Sequence, residues 1–169
     1  MILFLQLLRE LPAGCRKAAE DGTRAELSLN LAVANLSEEG CSVKLSMRSN
    51  SGQGYEELKH QVLAIGEAFM MPFREQNHTP VWEYDPESKL LRFVQDCAAR
   101  EGRRLTPAII HASVEEGIFR EISESAGFTP DMIGLGCTTL EMHTHRERLE
   151  VASVGKTYAL LKSILANWF

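Results

Sequence analysis

Glu26-Leu27-Ser28-Leu29-Asn30-Leu31-Ala32-Val33-Ala34-Asn35-Leu36 decides the fold class. Leu27, Leu29, Leu31 and Val33 recur at every second position, with Ser28, Asn30, Ala32 and Ala34 between them. Successive strand side chains point to opposite faces, so this pattern predicts a half-buried strand with one apolar face. Ser37-Glu38-Glu39-Gly40 follows as a turn. Val43, Leu45 and Met47 then alternate with Ser42, Lys44 and Ser46. Two alternating runs about a short turn ending in Gly predict an antiparallel hairpin with one face on a core.

Before the hairpin, Met1-Ile2-Leu3-Phe4-Leu5-Gln6-Leu7-Leu8 leads to Arg9-Glu10, with Pro12 and Gly14 beyond. Residues 2–11 therefore read as a helix, stopped by those two residues. The run is far short of the ~20 residues of a membrane span, and it lacks the basic start of a secretory signal. A buried helix is the expectation. Soluble domains rarely open on such a helix, which implies that the chain starts inside a longer architecture. Residues 16–25 are polar.

After the hairpin, Asn50-Ser51-Gly52-Gln53-Gly54 is a loop, and Tyr55, Leu58, Val62, Ile65 and Phe69 recur at helical spacing. Residues 75–80 are polar, and Val81-Trp82-Glu83-Tyr84 is a short extended piece. Pro86 and Ser88 can start a helix faced by Leu90, Leu91, Val94 and Ala98 and ended by Gly102. Thr106-Pro107-Ala108-Ile109-Ile110 is apolar enough to be a strand buried on both faces, as in parallel sheets. A helix over about 115–126 and a second short strand, 131–136, follow. A polar loop, 137–150, leads to a last helix with Ser153 as N-cap and Val154, Tyr158, Leu161, Leu165 and Trp168 as its apolar stripe. The fold class is therefore α/β, α+β overall: antiparallel pairing within 26–80 and a βαβα order over 103–169.

The 169 residues are 44% apolar and 24% charged, which excludes a disordered or collagen-like chain. The charge sum is 18 − 23 = −5, with no long basic run, so no nucleic-acid footprint is present. Cys15, Cys41, Cys97 and Cys137 form no C-x-x-C pair. That argues against a zinc knuckle or redox dithiol and suits a reducing, cytoplasmic setting.

Three groups could carry chemistry. His143-Thr144-His145 follows a predicted strand end, where open α/β sheets bind ligands. Two solvated loop histidines are the commoner meaning of a bare H-x-H, and no nearby carboxylate spacing completes a zinc set. His111 and Glu115-Glu116 lie where a strand runs into a helix, a place suited to a charged ligand. Ser113 with Glu116 also reads as a capping box, which leaves Glu115 unexplained. Arg48 ends the second hairpin strand before a Gly-rich loop and could bind a carboxylate in bidentate fashion, although a plain surface charge is commoner there. Gly134-Leu135-Gly136 and Gly155-Lys156-Thr157 lack the remaining residues of a nucleotide fingerprint.

Several segments, in order, resemble one family. They are Ile110-His111-Ala112-x-x-Glu115-x-Gly117-x-Phe119, Asp131-Met132-Ile133-x-x-Gly136-x-Thr138, His143, and Ser153-Val154-Gly155 before a Leu-rich helix. Upstream, Leu27-Ser28-Leu29-Asn30, Arg48-Ser49 and Trp82 add to the likeness. Together they resemble the C-terminal part of the aminoacyl-histidine dipeptidases, co-catalytic zinc metallopeptidases also called peptidase D or cytosolic non-specific dipeptidases. The resemblance implies that residues 1–80 are the later half of a lid and dimerisation domain, and that 81–169 are the C-terminal segment of a catalytic domain.

It further implies that Asn30, Arg48 and Glu115 face a dipeptide substrate, and that His143 is a metal ligand. The intact family uses two zinc ions. Its remaining ligands and its general base lie in an N-terminal half without a counterpart here, so no catalytic residue is assigned. The chain departs from the family pattern at Glu141-Met142, where Gly-Pro is usual, at Arg146, where an acidic residue is usual, and at Cys137. The expected function is that of a portion of a zinc dipeptidase for Xaa-His dipeptides, inactive alone, binding zinc weakly, forming a homodimer and open to complementation by an N-terminal half. The alternative is a non-catalytic, lid-like binding or dimerisation module. Neither reading involves a membrane or nucleic acid.

Overall fold

The alternation across Leu27–Met47 becomes a three-stranded antiparallel sheet of order β1-β2-β3, made of Gly14–Ala18, Ala25–Ser37 and Gly40–Ser49. The computed structural model describes residues 1–22, 24–110 and 115–168. The expected turn closes as Ser37 pairs Gly40, and Leu29 pairs Met47 on the apolar face. A register shift between Leu31 and Val33 turns the distal half of β2 over. Val33 consequently leaves the core face, where the alternation had put it, and is 40% exposed opposite Lys44.

Two helices cover that sheet face. In α1, Ile2–Glu10, Phe4 and Leu7 are buried, while in α2, Gly52–Ala68, Leu58 and Val62 are. They meet Leu11 and Leu29 in one core, with Leu27, Leu31, Val43, Leu45 and Met47 packed around it. The expected buried helix at the start is buried on one side alone: Ile2, Leu3 and Leu5 are exposed. The polar stretch after it begins inside β1, which is exposed throughout and gives no alternation to read.

The chain divides into two units, Met1–Tyr84 with Ile109–Gly127, and Asp85–Ala108 with Phe128–Phe169. The sheet, α1, α2 and α4 (Glu115–Ser125) belong to the first. The second holds α3 (Lys89–Arg100), a two-stranded ladder of β4 (Thr139–Leu140) and β5 (Arg148–Leu149), and α5 (Val151–Ala166). Its core is Val94, Cys97, Ala98 and Leu160, with Leu90, Phe93, Leu105, Ile133 and Ile164 packed against it.

Mixed α/β architecture with antiparallel strands is thus what forms, and three local expectations are corrected. Neither 106–110 nor 131–136 is a strand. An apolar strand of a parallel sheet is held by ladders to its neighbours, and among the described residues nothing pairs with either segment. The inward face of α5 is Ser153, Leu160 and Ile164, whereas Val154, Tyr158, Leu161, Leu165 and Trp168 are exposed. Ser153 is not the N-cap. Glu150 is, and the buried Ser153 hydroxyl accepts from Thr138 N–H at 2.9 Å and donates to Glu150 O at 2.6 Å. His111 and Ser113 of the proposed helix start lie outside the described residues.

Candidate functional site

Arg48 sits opposite Ser28 and Asn30 opposite Ser46 in the β2–β3 ladder. Directly opposed residues, and those two apart, share a sheet face. The hairpin therefore brings Asn30 and Arg48 to one face, the one turned away from Leu29 and Met47. Both residues are exposed. Arg48 also lines a cleft of about 520 Å³ at the end of the sheet, and Asn30 is not among its lining residues. Strand ends supply Lys17, Glu26 and Arg48, the start of α2 supplies Ser51, Gly54 and Tyr55, and Pro80 through Tyr84 form a further wall.

The lining carries both signs of charge. Glu26 is held by Lys17 at 3.2 Å and Arg24 at 3.7 Å. Ser51 caps α2 by accepting from Gly54 N–H at 2.9 Å. The Glu83 carboxylate accepts from Gly52 N–H at 2.8 Å, so it lies against the positive end of the helix. Tyr55 donates to Glu75 Oε1 at 2.6 Å, and Lys59 Nζ meets Glu75 Oε2 at 2.7 Å. His78 Nδ1 lies 3.2 Å from the Tyr55 hydroxyl and 3.0 Å from Glu75 Oε1. Burial first, and then the Glu75 bond, push the Tyr55 hydroxyl far above its ordinary pKa, so it remains a donor. Hydrogen bonds from Lys59 and Tyr55 hold the Glu75 carboxyl below the usual carboxylate range.

Sequence reasoning missed this cluster, because Tyr55 counts as apolar in a helical stripe. The available signal was Tyr55 and Lys59 four apart on α2, with Glu75 and His78 three apart beyond it. Glu115 opens α4 beside Glu116 and is exposed, and it does not line the cleft.

His143 lies in the second unit, in the loop between β4 and β5, with His145 beyond it, and both are exposed. The loop is folded by its own polar groups. Glu141 binds Arg146 at 3.0 Å and Arg148 at 2.8 Å, and Glu147 Oε2 accepts from His143 N–H at 2.8 Å. Glu141 and Arg146, two departures from the dipeptidase pattern, are thus partners of each other. Both Glu141 and His143 take positive φ, 53° and 64°. Among the described residues no three His, Cys, Asp or Glu side chains converge as a metal site, so the donor set does not fit a complete zinc centre, and His143 alone offers only a weak, open site. No described helix is long and apolar enough to cross a membrane.

The order of motifs along the chain resembles that of the dipeptidases, and comparison with known proteins agrees in likeness. The chain is 25% identical over 165 residues to the cytosol non-specific dipeptidase of Escherichia coli (strain K12), covering 96% of this chain and 33% of that protein. Its fold is similar to that of aminoacylhistidine dipeptidase from Vibrio alginolyticus, with a TM-score of 0.75 and 22% identity over 98% of this chain and 33% of the other. A more distant likeness is to aminopeptidase PepT from Bacillus cereus, with a TM-score of 0.62 and 13% identity over 96% of this chain and 43% of the other. No protein-family model matches. The chain spans about a third of the dipeptidases it matches, and the resemblance read from its motifs holds.

Proposed function

We propose that the chain is the lid-derived and C-terminal portion of a dipeptidase that acts on Xaa-His dipeptides. Residues 1–80 are the later half of the lid and dimerisation domain, and 81–169 are the C-terminal segment of the catalytic domain. The observation that carries this is the coincidence of sequence and fold likeness over nearly the whole chain, 96% and 98% of it. In this reading Arg48 pairs with the substrate carboxylate, Asn30 and Glu115 offer further polar contacts, and His143 is one metal ligand. The cleft at Arg48 supports the reading, because a lining of both signs suits a zwitterionic peptide.

Alone, the chain binds zinc weakly through His143 and does not hydrolyse dipeptides. A cytoplasmic setting and a homodimer complete the reading. The exposed Ile118, Phe119 and Ile122 of α4 are the kind of apolar surface that favours association. Sedimentation at the 18.9 kDa monomer mass over a wide concentration range would count against the dimer. NMR titration of the chain with an Xaa-His dipeptide tests the site. Shifts at residues lining the Arg48 cleft that vanish in Arg48→Ala are expected, and shifts unchanged in that variant, or absent in both proteins, sink the assignment.

A further inference from the structure

Beyond α2 the backbone turns back on itself. Met70 N–H donates to Glu67 O at 3.0 Å and Met71 N–H to Gly66 O at 2.8 Å, with Met70 at φ 54°. Residues 71–84 contain no helix or strand, and they retrace α2 from its C-terminus to its N-terminus. Their contacts descend the helix in order: Met71 to Gly66, Glu75 to Lys59 and Tyr55, His78 to Tyr55, and Glu83 to Gly52. A segment without ladders of its own is held by such side-chain contacts.

α4 bears on the same segment. A Cβ on the buried Gly117 would lie 2.0 Å from Pro80 O, closer than any real contact, so only glycine admits this passage. The end of the segment, Pro80 to Tyr84, is also a wall of the Arg48 cleft.

We propose that residues 71–84 are a strap forming the movable wall of this cleft, and that Glu75 is the positioning residue that latches it to α2. Glu75 is the one strap carboxylate that meets a hydroxyl, an ammonium and an imidazole together. It sits between the reversal at Met70 and the wall at Trp82 and Glu83. Among the contacts described, releasing it leaves two hydrogen bonds from the strap beyond Met71 to α2, Glu83 at Gly52 and His78 at Tyr55. Access to the cleft is then set by how often the latch opens. That consequence rests on reading the cleft as the peptide site, whereas the latch itself does not.

Backbone 15N relaxation on the full chain, without peptide or metal, tests the latch. Glu75→Ala is expected to lower the order parameters across 71–84 from rigid values of about 0.85 towards the flexible range below about 0.6, with β2 and β3 unchanged. Glu75→Gln keeps an acceptor for Tyr55 and gives intermediate values. Gly117→Ala, which pushes on Pro80 rather than on Glu75, also loosens residues 79–84. Strap order parameters at the parent level in Glu75→Ala overturn the proposal, and so does an equal fall in β2 and β3, which would mark a general loss of stability. Because no peptide is present, failure of the dipeptide assignment leaves these values as they are, and the two ideas fail separately.

Discussion

Met70 has no feature in sequence that marks it as the point of reversal. Helices commonly end on a glycine in the left-handed region, and here a methionine that is 88% exposed adopts φ 54°. The left-handed conformation is costly for a residue with a Cβ, and Met70 has little packing to lose. Met70→Gly should therefore raise stability by up to about 1 kcal/mol, read as a higher thermal midpoint. An unchanged or lowered midpoint would mean that the unfolded chain's added freedom outweighs the relief. The place of Asn30 on the polar face was legible from the period-2 alternation, and that of Arg48 from the end of the second alternating run. Val33 was not, because a single-residue shift in register leaves no trace in composition.

At the scale of elements, the start of α3 was half legible. The sequence offers Ser88 as a start, and its hydroxyl does accept from Leu91 N–H at 2.9 Å. Its second partner lies 43 residues away: Asp131 Oδ1 accepts from Ser88 Oγ at 2.6 Å, and Oδ2 from Leu90 N–H at 2.8 Å. A carboxylate at a helix N-terminus stabilises both free N–H groups and the helix dipole. The Ser88 bond first, with backbone bonds from Leu90 and Lys89, holds the Asp131 pKa below 3.8. A depressed carboxyl pKa stabilises the fold fully above the unfolded value, and the contribution is lost as pH falls through the folded one. Asp131→Asn should thus cost about 1 kcal/mol at neutral pH, after discounting for solvent. The gap to the parent should close below the ordinary 3.8. A gap that is constant with pH would show that shape, not charge, is what Asp131 supplies.

α5 illustrates the opposite failure. Its apolar residues are numerous enough to offer two stripes, and periodicity alone chose Val154, Tyr158, Leu161 and Leu165, all of them exposed. The buried face runs through Ser153 and Leu160 and is pinned by the Thr138–Ser153 bond, a tertiary contact that no local pattern encodes.

For the whole molecule, the hairpin and the order of motifs carried the fold class and the dipeptidase likeness. The division into two units was not legible, since residues 109–127 join the sheet unit across an intervening helix. Nor was the self-braced His143 loop, whose ion pairs link Glu141 to Arg146 and Arg148. We propose a chain similar to about a third of a dipeptidase that does not complete the chemistry by itself. At least three converging protein ligands are what a catalytic zinc centre needs, and among the described residues no three His, Cys, Asp or Glu side chains converge. The most direct measurement is hydrolysis of an Xaa-His dipeptide by the purified 169-residue chain with added zinc. The account predicts no turnover above the rate without protein. Zinc-dependent turnover that His143→Ala abolishes would contradict it.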